Sequence, residues 1–256
     1  MGHVGNGNFH VFLVIVVCPE GNAMPTALVT GASRGIGLAL CEAFAERGWT
    51  VVAACRRPDD ATALRDLAAA FPGLIEVEAL DVSDFAAIEV LSKKLTGRPI
   101  DVLVNNAGVA SRETQLGSLN YDAWKSLMDI NLMAPMKMIE AFLPQVEASS
   151  HKKIVAISSS LGSIAATTGG NYFYRTSKAA LNMAMRSVAR DLAPRGVIVS
   201  MLSPGYVDTD LTRRAVGGPP KISARDSGQG LADAIIALTS GDSGEFRRFN
   251  GQSIDW

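Results

Sequence analysis

Cysteine and histidine are scarce in this chain, three of each among 256 residues, and they are scattered. Cys18, Cys41 and Cys55 form no CxxC pair and no Cys/His ligand spacing. That excludes a zinc-type metal site and a disulfide framework, and it points to a reducing compartment, the cytoplasm. His3, His10 and His151 stand singly, as surface or tail histidines do. Charge of one sign is not in excess either. Lys+Arg 24 against Asp+Glu 25 leaves a formal −1, so there is no electrostatic footprint for nucleic acid or an anionic membrane. The apolar stretch Val11 to Cys18 falls well short of the ~20 residues of a membrane helix, and no Lys or Arg precedes it as a signal peptide requires. The partner these absences leave is a small molecule.

What is present is apolar content. At 48% hydrophobic residues and this length, one α/β domain with a full core is expected, spanning residues 24–256. Met24 opens Pro25-Thr26-Ala27-Leu28-Val29-Thr30, a natural first strand. Residues 1–23 are therefore expected to be an upstream extension that the fold does not require, as a start-site artefact would supply.

From Ala27 onward, short β-branched runs alternate with segments of helical periodicity, the rhythm of βαβ units around a parallel sheet. Seven strands are expected, at 27–30, 50–54, 75–80, 101–105, 153–158, 197–202 and 246–250. Their near-continuous apolar runs suit a sheet covered on both faces. Helices are expected over 36–47, 61–70, 85–95, 121–146, 178–192 and 231–240. Asp84 and Asn120 serve as caps, Gly48 as a stop, and Pro135 and Pro144 as a kink and an end in the long fourth helix. The implied fold class is a doubly wound, three-layer Rossmann arrangement on a seven-stranded parallel sheet. The Gly/Pro-rich stretch Val216–Pro220 reads as a loop over the site.

The first strand runs directly into Thr30-Gly31-Ala32-Ser33-Arg34-Gly35-Ile36-Gly37 and a helix. Such a turn delivers unpaired amide N–H groups and a helix N-terminus to the carboxyl edge of the sheet, where a pyrophosphate binds. Its Gly-x3-Gly-x-Gly spacing differs from GxGxxG and lacks the Gly-Lys-Ser/Thr ending of a kinase-type phosphate loop. After the second strand comes Ala54-Cys55-Arg56-Arg57, with no acid to accept ribose hydroxyls. Arg56 and Arg34 could instead hold a 2′-phosphate, which an acid at position 55 would repel, so NADP(H) is expected over NAD(H).

Tyr174 and Lys178 are four residues apart and share one helical face. A neighbouring ammonium pulls a phenol with a reference pKa of ~10 toward the working range of an acid–base catalyst. Tyr121 and Lys125 repeat the spacing, so the spacing alone decides nothing. Context does: only Tyr174 follows a strand that ends in the hydroxyl cluster Ser158-Ser159-Ser160.

Five motifs in order, Thr30-Gly31…Gly35-Ile36-Gly37, Asn105-Asn106-Ala107-Gly108, Ser159-Ser160-Leu161-Gly162, Tyr174-Arg175-Thr176-Ser177-Lys178 and Pro204-Gly205, resemble the short-chain dehydrogenases/reductases from about Met24 to Trp256. Tyr174 to Met183 and the ending Gly251 to Trp256 resemble the sniffer and C-factor-like carbonyl reductases within that family. The resemblance implies roles. Tyr174 would be the acid–base residue, Lys178 would lower its pKa and bind the nicotinamide ribose, and Ser159 would hold the carbonyl oxygen. Asn131 would support a proton-relay water beside the lysine. Gly31, Ser33, Arg34, Gly35, Ile36, Gly37 and Arg56 would hold the phosphates, Asp81 and Val82 the adenine, and Asn105, Ala107 and Gly108 the adenosine half. Pro204, Gly205, Val207 and Thr209 would hold the nicotinamide end, with Val207 and Thr209 at the carboxamide. The serine lies fifteen residues before the tyrosine, two more than is usual in the family, which leaves Ser158 and Ser160 as rivals to Ser159.

The implied reaction is hydride transfer between NADP(H) and a carbonyl or alcohol. Two other readings stand beside it: a nucleotide-binding signalling protein with little turnover, and nucleotide-sugar dehydration or epimerisation, for which the segment after Gly205 leaves little room. Tyr206, Leu211, Val216 and Ile222 suit an apolar lid and suit core packing equally. Leu127, Met128, Leu132, Met133, Met136 and Met138 on the long helix, together with the family habit of pairing such helices, lead to an expected homodimer or homotetramer.

Overall fold

The computed structural model describes residues 24–111, 116–213 and 219–256. The 1–23 extension, Cys18, His3 and His10, and lid residue Val216 with most of its loop lie outside the described residues.

All seven expected strands form. They are β1 (Thr26–Thr30), β2 (Thr50–Cys55), β3 (Ile75–Ala79), β4 (Val102–Asn105), β5 (Lys153–Ile157), β6 (Ile198–Ser203) and β7 (Phe246–Arg248). They pair in parallel in the order β3-β2-β1-β4-β5-β6-β7, so the winding reverses between β1 and β4. Alternation along each strand feeds two cores. Leu28, Val52, Leu103, Ile154 and Val199 face one layer of helices, while Val29, Val51, Val102, Val104 and Val155 face the other. Each such fully buried side chain contributes about 1.5–3 kcal/mol of transfer free energy. Full burial holds for β1, β4 and β5 but not for the edges. On β3, Glu76 and Glu78 turn to Arg98 and Lys94, charges that blunt an exposed edge.

The helices are α1 (Gly35–Glu46), α2 (Thr62–Ala70), α3 (Phe85–Lys94), α4 (Tyr121–Met128), α5 (Ala134–Glu147), α6 (Tyr172–Leu192) and α7 (Ala224–Ala237). Asp84 and Asn120 cap α3 and α4 through backbone N–H groups, as expected. The long helix expected over 121–146 forms as α4 and α5, continuous through a π-turn at Asp129–Met133 just before Pro135, where the sequence marked an interruption. Pro135 has no N–H to give the carbonyl of Asn131, and Ala134 N bonds back five residues to Asp129 O. Pro144 does not end α5, which runs on to Glu147. Helix α7 starts seven residues earlier than expected, at Ala224 behind its Ser223 cap. Of the six apolar side chains that suggested an oligomer, Leu127 and Met138 are buried in the chain's own core, Leu132 and Met136 pack against it, and only Met133 is well exposed. Among the described residues, no helix is long and apolar enough to cross a membrane, and no group of three His, Cys, Asp or Glu could hold a metal.

Candidate active site

The glycine turn is built by exclusion of side chains. Gly31 has φ +68°, and a Cβ there would stand 2.9 Å from Ala107 Cα; a Cβ on Gly37 would collide with the Gly31 carbonyl. Gly35 has φ +56°, in the left-handed region, and faces the Thr209 methyl. Ala32 N bonds Ala54 O at 3.0 Å, which ties the turn to the end of β2 where Arg56 emerges into solvent. Ser33 and Ile36 are half-buried around the turn, and Arg34 is extended and exposed at the start of α1.

Asn106 completes this cradle, a structural part that the motif reading, which placed it only in the stretch Asn105 to Gly108, did not give it. Its Nδ2 donates to Thr30 O (2.8 Å) and Gly31 O (3.3 Å). Asn106 N and Ala107 N both donate to Thr30 Oγ1 at 3.1 Å. The loops after β1 and β4 are thereby one unit at the point where the winding reverses, the place where open α/β sheets bind ligands. The doubled asparagine between a strand and Ala107-Gly108 was the available signal. Asn105 is buried, and its Nδ2 has no partner. It lines a shallow recess with Val82, Ala107, Ile130 and Pro135. Asp81 stands after β3 with its carboxyl held low, chiefly by the Ser83 hydroxyl, with Arg56 adding to the effect.

A second constellation lies at the ends of β5 and α6. The Ser159 hydroxyl acts on that of Tyr174 and lowers its pKa. Of the rivals, Ser158 is turned into the core, where its hydroxyl donates to Asn182 Oδ1 at 2.6 Å, and Ser160 opens a 3-10 turn with its N–H on Ser203 Oγ. One turn along α6 from Tyr174, Lys178 is buried. Its Nζ donates to Ile157 O at 2.8 Å and lies 5.8 Å from the centre of the Tyr174 ring. Asn131, fully buried in the π-turn, clasps Val109 through both N–H and C=O at 2.9 Å and donates to Ser177 Oγ at 3.0 Å. Gly108 sits between Asn131 and Lys178, and a Cβ there would be 3.3 Å from Asn131 Oδ1. Tyr121, by contrast, is exposed and stacks on Trp124, and Lys125 pairs with Asp122 on the same outer surface.

The electrostatics differ from the expected simple lowering of the tyrosine. Burial pushes the Tyr174 hydroxyl up, and the Ser159 hydroxyl pulls it only partly back. Burial also brings Lys178 down to about 8. Both groups are penalised in their charged forms because little water reaches them.

Pro204 and Gly205 follow β6. Pro204 O accepts from Ser227 Oγ at 2.7 Å, and Gly205 (φ +86°) leaves room for Ile222 and Phe249. Val207 is buried and bridges Ile222, which fixes the segment that carries Thr209 against the glycine turn.

Residues 25–218 match the model of the short chain dehydrogenases. The chain belongs to that family. This short-chain dehydrogenase is 39% identical over 160 residues to the C-signal of Myxococcus xanthus, covering 62% of this chain and 93% of the relative. It is 34% identical to the 3-oxoacyl-[acyl-carrier-protein] reductase FabG of Escherichia coli, covering 88% of this chain and 95% of the relative. Among solved structures, it superposes on the carbonyl reductase Sniffer of D. melanogaster with TM-score 0.84 and 28% identity, covering 91% of this chain and all of that one. The NADPH-bound carbonyl reductase from chicken fatty liver matches with TM-score 0.84 and 30% identity, over 91% and 99% of the two chains. The sniffer and C-factor likeness drawn from the motifs holds.

Proposed function

We propose that this short-chain dehydrogenase is an NADP(H)-dependent carbonyl reductase, acting as one domain over residues 24–256 in the cytoplasm. The observation that carries the reading is buried Lys178, one turn along α6 from Tyr174 with its Nζ 5.8 Å from the centre of that ring, at the same sheet edge as Ser159 and the glycine cradle. The residues present fit a dinucleotide. Gly31 and Gly37 let the turn close tightly on Ala107 and Asn106 at the helix N-terminus, where a Cβ would force it apart, and Asn105 keeps a buried donor without a partner. Gly31 to Gly37 would hold the pyrophosphate, Arg34 and Arg56 the 2′-phosphate, Asp81, Val82 and Asn105 to Gly108 the adenosine, and Pro204, Gly205, Val207 and Thr209 the nicotinamide end. When bound, the reduced nicotinamide supplies a hydride to the carbonyl carbon.

The chain's own residues do the rest. Tyr174 gives its proton to the substrate oxygen, and Ser159 donates a hydrogen bond to the same oxygen. Because burial raises the Tyr174 pKa, the phenol holds its proton at neutral pH, the state needed for reduction. Lys178, with Asn131 holding the loop beside it, places a positive charge near the phenolate left behind.

The test is NADPH oxidation followed by absorbance over aldehydes, ketones, diketones and a 3-oxoacyl thioester, with Tyr174→Phe as control. Consumption of NADPH that falls about 100-fold or more in Tyr174→Phe is the expected result. The C-signal likeness favours a second reading, a nucleotide-binding signalling protein. Tight NADPH binding with no turnover on any of these substrates would favour it.

A further inference from the structure

Arg34, assigned above to the cofactor's phosphate end, is already engaged. Its Nη1 donates to Asp210 Oδ2 at 2.9 Å, across 176 residues of sequence. The other oxygen of Asp210 accepts from Arg213 Nη2 at 2.6 Å. Asp210 rides on the segment after β6, and that segment is firmly based. Val207 bridges Ile222, Thr209 N donates to Thr212 Oγ1 at 3.2 Å, and Lys221 Nζ donates to Thr212 O at 3.0 Å. The Thr209 methyl faces Gly35, so an ion pair and a methyl contact together press the segment onto the glycine turn. Arg57, by comparison, pairs only locally, with Asp60 three residues on.

We propose that Asp210 is a specificity-determining residue whose carboxylate competes with the 2′-phosphate of NADP(H) for the Arg34 guanidinium. The inference rests on the cofactor reading above, which puts the 2′-phosphate at Arg34. The pair is exposed, with 72% of the Arg34 side chain and 41% of the Asp210 side chain open to solvent, so its attraction is weak and a phosphate displaces it. Displacement still subtracts from NADP(H) affinity. NAD(H) has no 2′-phosphate, leaves the pair intact and incurs no such cost. Asp210 therefore narrows the preference that Arg34 creates, and it does so from a loop far from β2 in sequence.

Calorimetric titration of the full chain with NADPH and with NADH tests this in wild type, Asp210→Asn, Arg34→Ala and the double variant. Asp210→Asn is expected to tighten NADPH about two- to fivefold, the range an exposed ion pair spans, while NADH changes by less. In the Arg34→Ala background the same substitution should bring no gain, and Asp210→Glu, which keeps the carboxylate, should resemble wild type. Equal tightening of both cofactors, weaker NADPH binding, or a gain that survives the loss of Arg34 would overturn the proposal. A wild type that binds NADH as tightly as NADPH would remove the cofactor reading itself. A wild-type NADPH preference that Asp210→Asn leaves unmoved would remove only the competition.

Discussion

Ser158 Oγ donates to Asn182 Oδ1 at 2.6 Å inside the core, while Ser159, one position away, points to the opposite side, where its hydroxyl acts on that of Tyr174. A strand alternates the direction of its side chains, so neighbours at its carboxyl end divide between the site and the core. The same substitution at the two positions should therefore separate activity from stability. Ser159→Ala is expected to lower kcat about 100-fold and to cost only about 0.5–1 kcal/mol of stability, through the lost cap on Leu161 N. Ser158→Ala is expected to cost about 1–2 kcal/mol, since Asn182 Nδ2 already lacks a partner and Oδ1 would then lose its own. Urea unfolding and carbonyl reduction measured on both variants check the pair, and the reverse pattern would move the catalytic assignment to Ser158.

Asn106 links the first and fourth strand ends and predicts a mixed effect. Without its amide, Thr30 O and Gly31 O lose a donor within the phosphate cradle. Asn106→Ala is expected to destabilise by about 1–3 kcal/mol and to weaken NADPH binding, since the amide no longer ties the glycine turn to the loop after β4. Denaturant midpoints and NADPH titration read the two consequences. Lost stability with unchanged affinity would show that Asn106 supports the strands alone.

The strands were readable because parallel strands buried on both faces are nearly pure runs of apolar residues, as Leu28-Val29 and Val102-Leu103-Val104 show. The glycine turn was readable because its close packing and positive φ admit no side chain, and the nearness of Tyr174 and Lys178 because four residues make one helical turn. Three features were hidden. The π-turn depends on what Pro135 withholds from Asn131, which periodicity does not reveal. The first turns of α7 contain Gly228 and Gly230, poor helix formers. They are there because a Cβ at 228 would stand 2.6 Å from Ala39 Cβ on α1, and one at 230 equally close to the Phe249 ring. The rise in the Tyr174 pKa comes from burial, whereas sequence spacing showed only the nearby lysine.

Lys178 gives the last prediction, because its burial sets both stability and turnover. An unfolded lysine keeps its proton to 10.5, while the folded one releases it at about 8. The charged form is thus disfavoured in the fold, by about 3 kcal/mol at ~1.4 kcal/mol per pH unit. The sign follows: between about pH 8 and 10.5 the unfolded chain binds the extra proton, so wild-type stability rises with pH across that window. Lys178→Met removes the buried charge and also the bond to Ile157 O, whose loss costs about 1–2 kcal/mol. At pH 7 the variant should be more stable than wild type by the remaining 1–2 kcal/mol or so, and the lead should shrink and reverse toward pH 10. Turnover should run the other way. Wild-type reduction should fall as Lys178 loses its charge above about pH 8, and Lys178→Met should be nearly inactive at every pH. Urea unfolding of both proteins from pH 6.5 to 10, beside a pH profile of kcat/KM, checks the two together. A stability lead independent of pH would mean that Lys178 is not the group burial has shifted.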